Sequence, residues 1–212
     1  MAVSSAYGTS PATVQQLPSW SFDPDRTQVG FRGRRLGAIW VNGHFREVRG
    51  KFYWDHDDPL GSSCVGEIDV ANLHSEEPCL NTQLRAADFL DPGHHRVITF
   101  AAWMMDRTSD TKFTADVLLT IRGATRHVSM ELTYLGEWEA PVVRHGESIG
   151  RARRLGLSAR GAITRRQFER DPRFSKPHGE GAAAHANAID ITMDLEAILD
   201  ADLHELDAID LS

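Results

Sequence analysis

Residues 112–134, KFTADVLLTIRGATRHVSMELTY, alternate apolar and polar side chains in two runs split at Arg122-Gly123. In the first run Phe113, Ala115, Val117, Leu119 and Ile121 share one face, while Lys112, Thr114, Asp116 and Thr120 fall largely on the other. In the second, Val128, Met130, Leu132 and Tyr134 oppose His127, Ser129, Glu131 and Thr133. A β-strand sends successive side chains to opposite faces, so this period is what a strand with one dry and one wet face requires. A chain built mainly of such strands must stack or close its sheet, and closure can create an interior able to hold a ligand.

Working outward from that stretch, alternation and turn signals give eight strand candidates. They are Trp20 to Arg34 (broken near Asp25), Val41 to Trp54, Ser63 to Asn72, Val97 to Asp106, Thr111 to Arg122, Arg126 to Trp138, Ala152 to Arg165 and Asn187 to Ile198. Between the third and fourth, Leu80, Leu84, Ala87 and Phe89 predict a short helix within Glu76 to Asp91, placed to cap one end of the sheet. Asp57-Asp58-Pro59-Leu60-Gly61 reads as a turn, because Pro fixes its own φ and Gly tolerates positive φ. Phe168 to Ala186, with prolines, glycines and alanines, reads as a long loop of the kind that forms lids or binding elements. The resulting expectation is a flexible arm over residues 1–18, one barrel domain over 19–200 and an acidic tail over 201–212 that frays or adds one helical turn.

Composition excludes several functions. The net charge of −7 comes with arginines scattered among acids, whereas a nucleic-acid groove needs a basic stripe. Met1 to Pro18 has no cationic start followed by an apolar run, so it does not read as a secretory signal. No stretch has the roughly 18 continuous apolar residues of a membrane span. Cys64 and Cys79 show neither CxxC spacing nor disulfide-scaffold density, which fits a reducing compartment and predicts a soluble cytoplasmic protein. Ten histidines include His94-His95, but none sits in HExxH or a Cys/His zinc spacing, so no metal or other cofactor is implied. Ser62, Ser63 and Ser158 lie in no nucleophile elbow, and Gly-rich phosphate loops are absent.

Several blocks carry a resemblance. Trp20-Ser-Phe-Asp-Pro-Asp-Arg-Thr-Gln-Val-Gly-Phe31, Val41-Asn-Gly-His-Phe45 and Gly50-Lys-Phe52 come first. Leu84-Arg-Ala-Ala-Asp-Phe-Leu-Asp91 with Val97-Ile-Thr-Phe100 follows, and then Leu119-Thr-Ile-Arg-Gly-Ala-Thr-Arg126. Ala159-Arg-Gly-Ala-Ile163 with Arg165 and Phe168 completes the series. In this order the blocks resemble the YceI-like family of bacterial lipid-binding, lipocalin-like domains, over nearly the whole of Trp20 to Leu195. The resemblance implies an all-β fold, an extended eight-stranded antiparallel barrel, that binds polyisoprenoids or similar amphiphiles, often as a homodimer; many relatives are periplasmic.

Binding an isoprenoid requires a dry tube and a polar fixing point at its mouth. By alternation the inward candidates are Phe31, Phe45, Phe52, Phe100, Phe113, Val117, Met130, Leu132, Leu157 and Met193. Phe168, in the loop that the resemblance brings to the ligand, joins them. Alternation alone does not separate cavity lining from core packing. Arg165, Arg166 and Arg170 enter the long loop after the seventh strand, and guanidinium forks match the oxygens of a diphosphate head. A solvated cluster offset by Glu169 and Asp171 is the plainer account of them. The expected function is non-enzymatic: a polyisoprenoid or other long amphiphile is sequestered or carried by partition. Other apolar small molecules (an isoprenoid quinone, a xenobiotic), an enzyme acting on such a lipid, and a barrel filled by its own side chains are the alternatives.

Overall fold

Each alternating stretch of the sequence becomes a strand in a computed structural model that describes residues 17–35, 39–55, 58–75, 82, 90–144, 146–168 and 188–210. In chain order the strands are β1 (Ser19–Phe22), β2 (Gln28–Arg35), β3 (Ile39–Phe45), β4 (Val48–Tyr53), β5 (Ser63–Asp69) and β6 (Leu73–Ser75). Then come β7 (Val97–Arg107), β8 (Lys112–Ile121), β9 (Ala124–Arg144), β10 (Glu147–Thr164) and β11 (Ala188–Leu199). Ten of the eleven segments trace the eight expected strands, the first two of which are each broken in two, and β6 lies just past Asn72, where the third was expected to end.

All pairings are antiparallel. The order β1-β4-β5-β7-β8-β9-β10-β11 closes on itself through β1 against β11, with Trp20 facing Leu199. The result is a closed eight-stranded barrel, the solution that leaves no free edge in the ring. From the same β11, β2 pairs at Ile189 to Asp194, and β3 and β6 follow it, so β2-β3-β6 extend the wall beyond the ring. The opening hairpin of the sequence reading is β8–β9, with Ile121 opposite Ala124 and the turn residues Arg122 and Gly123 at φ of 52° and 73°. Two positive φ values in succession are those of the tight turn whose twist matches a hairpin.

The three breaks, at residues 23–27, 46–47 and 70–72, lie side by side across the sheet. They are stitched together by Arg46 N–H donating to Asn72 O at 3.4 Å and by the Asn72 amide donating to the Glu47 carboxylate at 2.9 Å. Glu47 itself sits at φ 58°.

Two differences from the sequence reading concern the periphery. β9 and β10 run to Arg144 and from Glu147, several residues beyond Trp138 and Ala152, and this extended hairpin receives a helix. That helix, α1 (Asp200–Asp210), is the C-terminal one and does not lie between the third and fourth strands. Its Leu203 and Leu206 pack with Val142, Ile149, Ala152 and Ile198, so the segment read as an acidic tail is docked. Asp200, in its first turn, accepts hydrogen bonds from Ser19 (2.7 Å), Ser21 (2.6 Å) and Lys51 (2.7 Å), which ties α1 to β1 and β4. Most of the span expected to be helical, 76–91, and the arm up to residue 16 lie outside the described residues.

Candidate ligand cavity

The inward residues of the barrel do not fill it. They surround a cavity of about 220 Å³, the space open to the centres of water-sized groups. β2, β3 and β4 contribute Val29, Phe31, Phe45 and Phe52; β7 and β8 contribute Phe100, Ala102, Val117 and Leu119; β9 to β11 contribute Met130, Leu132, Leu157 and Met193. Adaptable Met and flat Phe side chains suit a wall that must follow an irregular apolar shape. Among the described residues that line it, Arg122 is the one that carries charge.

One end is closed by aromatic packing. Trp54 stacks on Tyr134 (ring centroids 4.8 Å apart) and on Phe52 (5.6 Å), and Phe113 meets it edge-on at 6.2 Å. Beneath this floor the Arg154 side chain, 3 % exposed, donates to Asp23 at 2.6 Å, to Glu196, and to the Pro141 carbonyl at 3.2 Å. A buried guanidinium of this kind is tolerable because carboxylates and a carbonyl meet its two terminal nitrogens, while the buried Nε has no hydrogen-bond partner. The opposite end is bounded by Ile121 and Arg122 of the β8–β9 turn, Ile163 and Phe168 at the end of β10, Leu90, and Ile189 at the start of β11. Asp91 stands there at φ 49°. His94 Nδ1 lies 3.0 Å from its carboxylate, and that hydrogen bond, with the charges of His94, Arg122 and His95, holds Asp91 below the usual carboxylate range.

Glycines make room for two of the wall rings. A Cβ on Gly43 would stand 2.3 Å from the Phe31 ring, and one on Gly66 would stand 2.4 Å from the Phe100 ring. Such distances require the ring to move, so these two positions keep Phe31 and Phe100 laid against the sheet. Cys64 also faces the cavity, and burial pushes its thiol up to about 12. A thiol so raised is inert as a nucleophile at neutral pH.

Ten of the eleven residues expected to meet a ligand lie on this wall: Phe31, Phe45, Phe52, Phe100, Val117, Met130, Leu132, Leu157, Phe168 and Met193. The structure places Phe113 elsewhere, fully buried in the floor against Trp54. Alternation gives the inward direction of a strand residue but not its depth along the tube. Arg165 and Arg166 occupy a 3-10 turn, Arg165–Phe168, at the mouth end; their side chains, and Arg170 altogether, lie outside the described residues. Sequence reasoning missed Arg122 as a lining residue. It was visible as a turn residue, yet its place at the rim follows from the positive φ that a sequence does not display. Among the described residues no group of three His, Cys, Asp or Glu is set to hold a metal ion, and no helix is long and apolar enough to cross a membrane.

A closed antiparallel barrel around an apolar cavity is the architecture of small barrels with room inside for an apolar small molecule. The YceI-like domain model matches residues 20–197, and the chain belongs to that family. A UPF0312 protein of Ectopseudomonas mendocina is 30% identical over 115 residues, 53% of this chain and 59% of that protein, so the chain spans about three fifths of that relative's length. Protein YceI of Escherichia coli is 27% identical over 141 residues, 66% of this chain and 69% of that one. Among solved structures, Burkholderia cenocepacia BcnA superposes with a TM-score of 0.62 at 18% identity, covering 83% of this chain and 99% of BcnA. A polyisoprenoid binding domain from Saccharophagus degradans gives 0.51 at 9% identity, covering 86% and 99%. At these identities the likeness is one of fold.

Proposed function

We propose that this chain binds and sequesters or carries a polyisoprenoid or a similarly long amphiphile, tail inside the barrel and head at the mouth, and makes or breaks no bond in doing so. The observation that carries the reading is the wall itself: every described residue lining the cavity except Arg122 is apolar. Such a surface discriminates poorly between one apolar tail and another, so selectivity rests on how much tail fits and on the head group. Arg165, Arg166 and Arg170 are the proposed partners of a diphosphate head. An isoprenoid quinone is the second reading, favoured by the apolar character of the described lining residues other than Arg122.

Native mass spectrometry of the protein from a bacterial host, followed by lipid extraction, tests the proposal. A stoichiometric prenyl adduct supports it and identifies the head. A protein that is empty and takes up no added prenol or prenyl diphosphate overturns it, and turnover of a prenyl diphosphate overturns its non-catalytic part. Cell fractionation checks the cytoplasmic expectation, and sedimentation checks the dimer implied by resemblance.

A further inference from the structure

One exposed face outside the cavity departs from the character of the rest of the molecule. The chain carries thirty acidic residues, yet the strands β2 (QVGFRGRR), β3 (IWVNGHF) and β6 (LHS), which extend the wall at the mouth end, contain none. Phe31, Val29 and Phe45 of these strands line the cavity, so by alternation Arg32, Arg34, Trp40, Asn42 and His44 point outward. Arg34 and Trp40 are cross-strand partners. The guanidinium of Arg32 stands 3.9 Å and that of Arg34 4.4 Å from the Trp40 ring centroid, while the ring remains 41 % exposed. Stacking on one ring holds two cations parallel and beside an amphipathic aromatic surface. The acidic residue that borders this group is Asp190, the register partner of Arg32 on β11.

Cations flanking an exposed Trp are the chemistry that an anionic lipid headgroup layer recognises: the indole settles at the level of the headgroups and the guanidiniums meet the phosphates. We infer that the outer face of the β2–β3 hairpin, through Arg32, Arg34 and Trp40, docks the barrel on an anionic lipid bilayer with its mouth beside the membrane. The docking stands on the exposed face alone. Its use for loading or unloading a lipid rests on the function proposed above. Charge complementarity selects this occupant: a bilayer offers many phosphates to a shallow, rigid cationic face, and the face needs no pocket to meet them.

The experiment is flotation of the full chain with vesicles of phosphatidylcholine alone and of phosphatidylcholine with phosphatidylglycerol. Binding is expected only to the anionic vesicles, weakening as salt rises. Removing each arginine should weaken it about fivefold, the worth of one basic residue at an anionic leaflet, so Arg32→Gln with Arg34→Gln loses about 25-fold. Trp40→Ala should weaken binding further and abolish any blue shift of tryptophan emission on docking. Uptake of a fluorescent apolar probe in the absence of vesicles, measured on the same variants, should match the parent, which separates this inference from the cavity reading. Equal binding to neutral and anionic vesicles, no binding to either, or a double variant that floats like the parent overturns the inference.

Discussion

Straight-chain alcohols of graded length would gauge the cavity directly. Its volume of about 220 Å³, at about 10–15 Å³ for each water-sized group, accommodates about 15–22 such groups, and a methylene takes roughly the room of one water. Each methylene moved from water to the wall contributes at most about 0.8 kcal/mol, a factor of about four in Kd. Part of that is lost to ordering the chain. Displacement of a fluorescent apolar probe should therefore show Kd falling about two- to fourfold per carbon, then levelling off near 15–22 carbons. Ala102 faces this space from β7. Ala102→Leu adds about three carbons to the wall and should bring the break forward by about three, with the slope before it unchanged. An affinity that keeps improving well past 22 carbons, or a break that ignores Ala102→Leu, would refute the idea that an enclosed wall of this size sets the tail.

Three further outcomes are expected. Arg154→Met takes the guanidinium from the part-buried Asp23 and Glu196, leaving Arg26, 3.7 Å from Glu196, as the nearby cation, and should cost about 3 kcal/mol in urea unfolding; a loss under about 1 kcal/mol would mean that water replaces the guanidinium. Burial pulls the Asp200 carboxyl upward, but hydrogen bonds from Lys51, Ser21 and Ser19 outweigh it and leave it below its ordinary value. The folded chain thus holds this proton less tightly than the unfolded one, so the contribution is present above the unfolded pKa and fades as pH falls toward the folded value. Asp200→Asn should remove that acid-sensitive step from thermal melts, and a variant with the parent's acid profile would contradict it. His44, stacked on His74 at 5.6 Å, is held below its usual range by burial, then by Arg46 and His74. Its folded pKa lies under its unfolded one, so stability should decline as pH drops below about 6.5, and His44→Gln should flatten that decline in melts between about pH 7.5 and 5.5.

The barrel was legible because one dry face per strand leaves a period-2 record, and Phe113 to Ile121 show it without interruption. Even the break near Asp25 was visible, in the Asp-Pro-Asp that separates β1 from β2. The signature Trp20 and Asp23 can now be read physically: the first is buried at the barrel closure and the second neutralises Arg154. What sequence could not supply is position along the tube. Phe113 and Val117 share a face and a strand, yet one packs in the floor and the other lines the cavity. α1 escaped for another reason. Its sequence DADLHELDAID has a thin apolar stripe, and its order comes largely from contacts with β9 and β10 that are distant in the chain.

The aligned breaks at 23–27, 46–47 and 70–72 act as a crease running across three neighbouring strands. On the floor side the sheet is tied by ring closure and the Arg154 cluster; on the mouth side β2 pairs with β11, and β3 and β6 follow it. The crease divides one sheet into two parts, a closed ring around the floor and a three-strand extension beside the mouth, and the cavity wall draws on both.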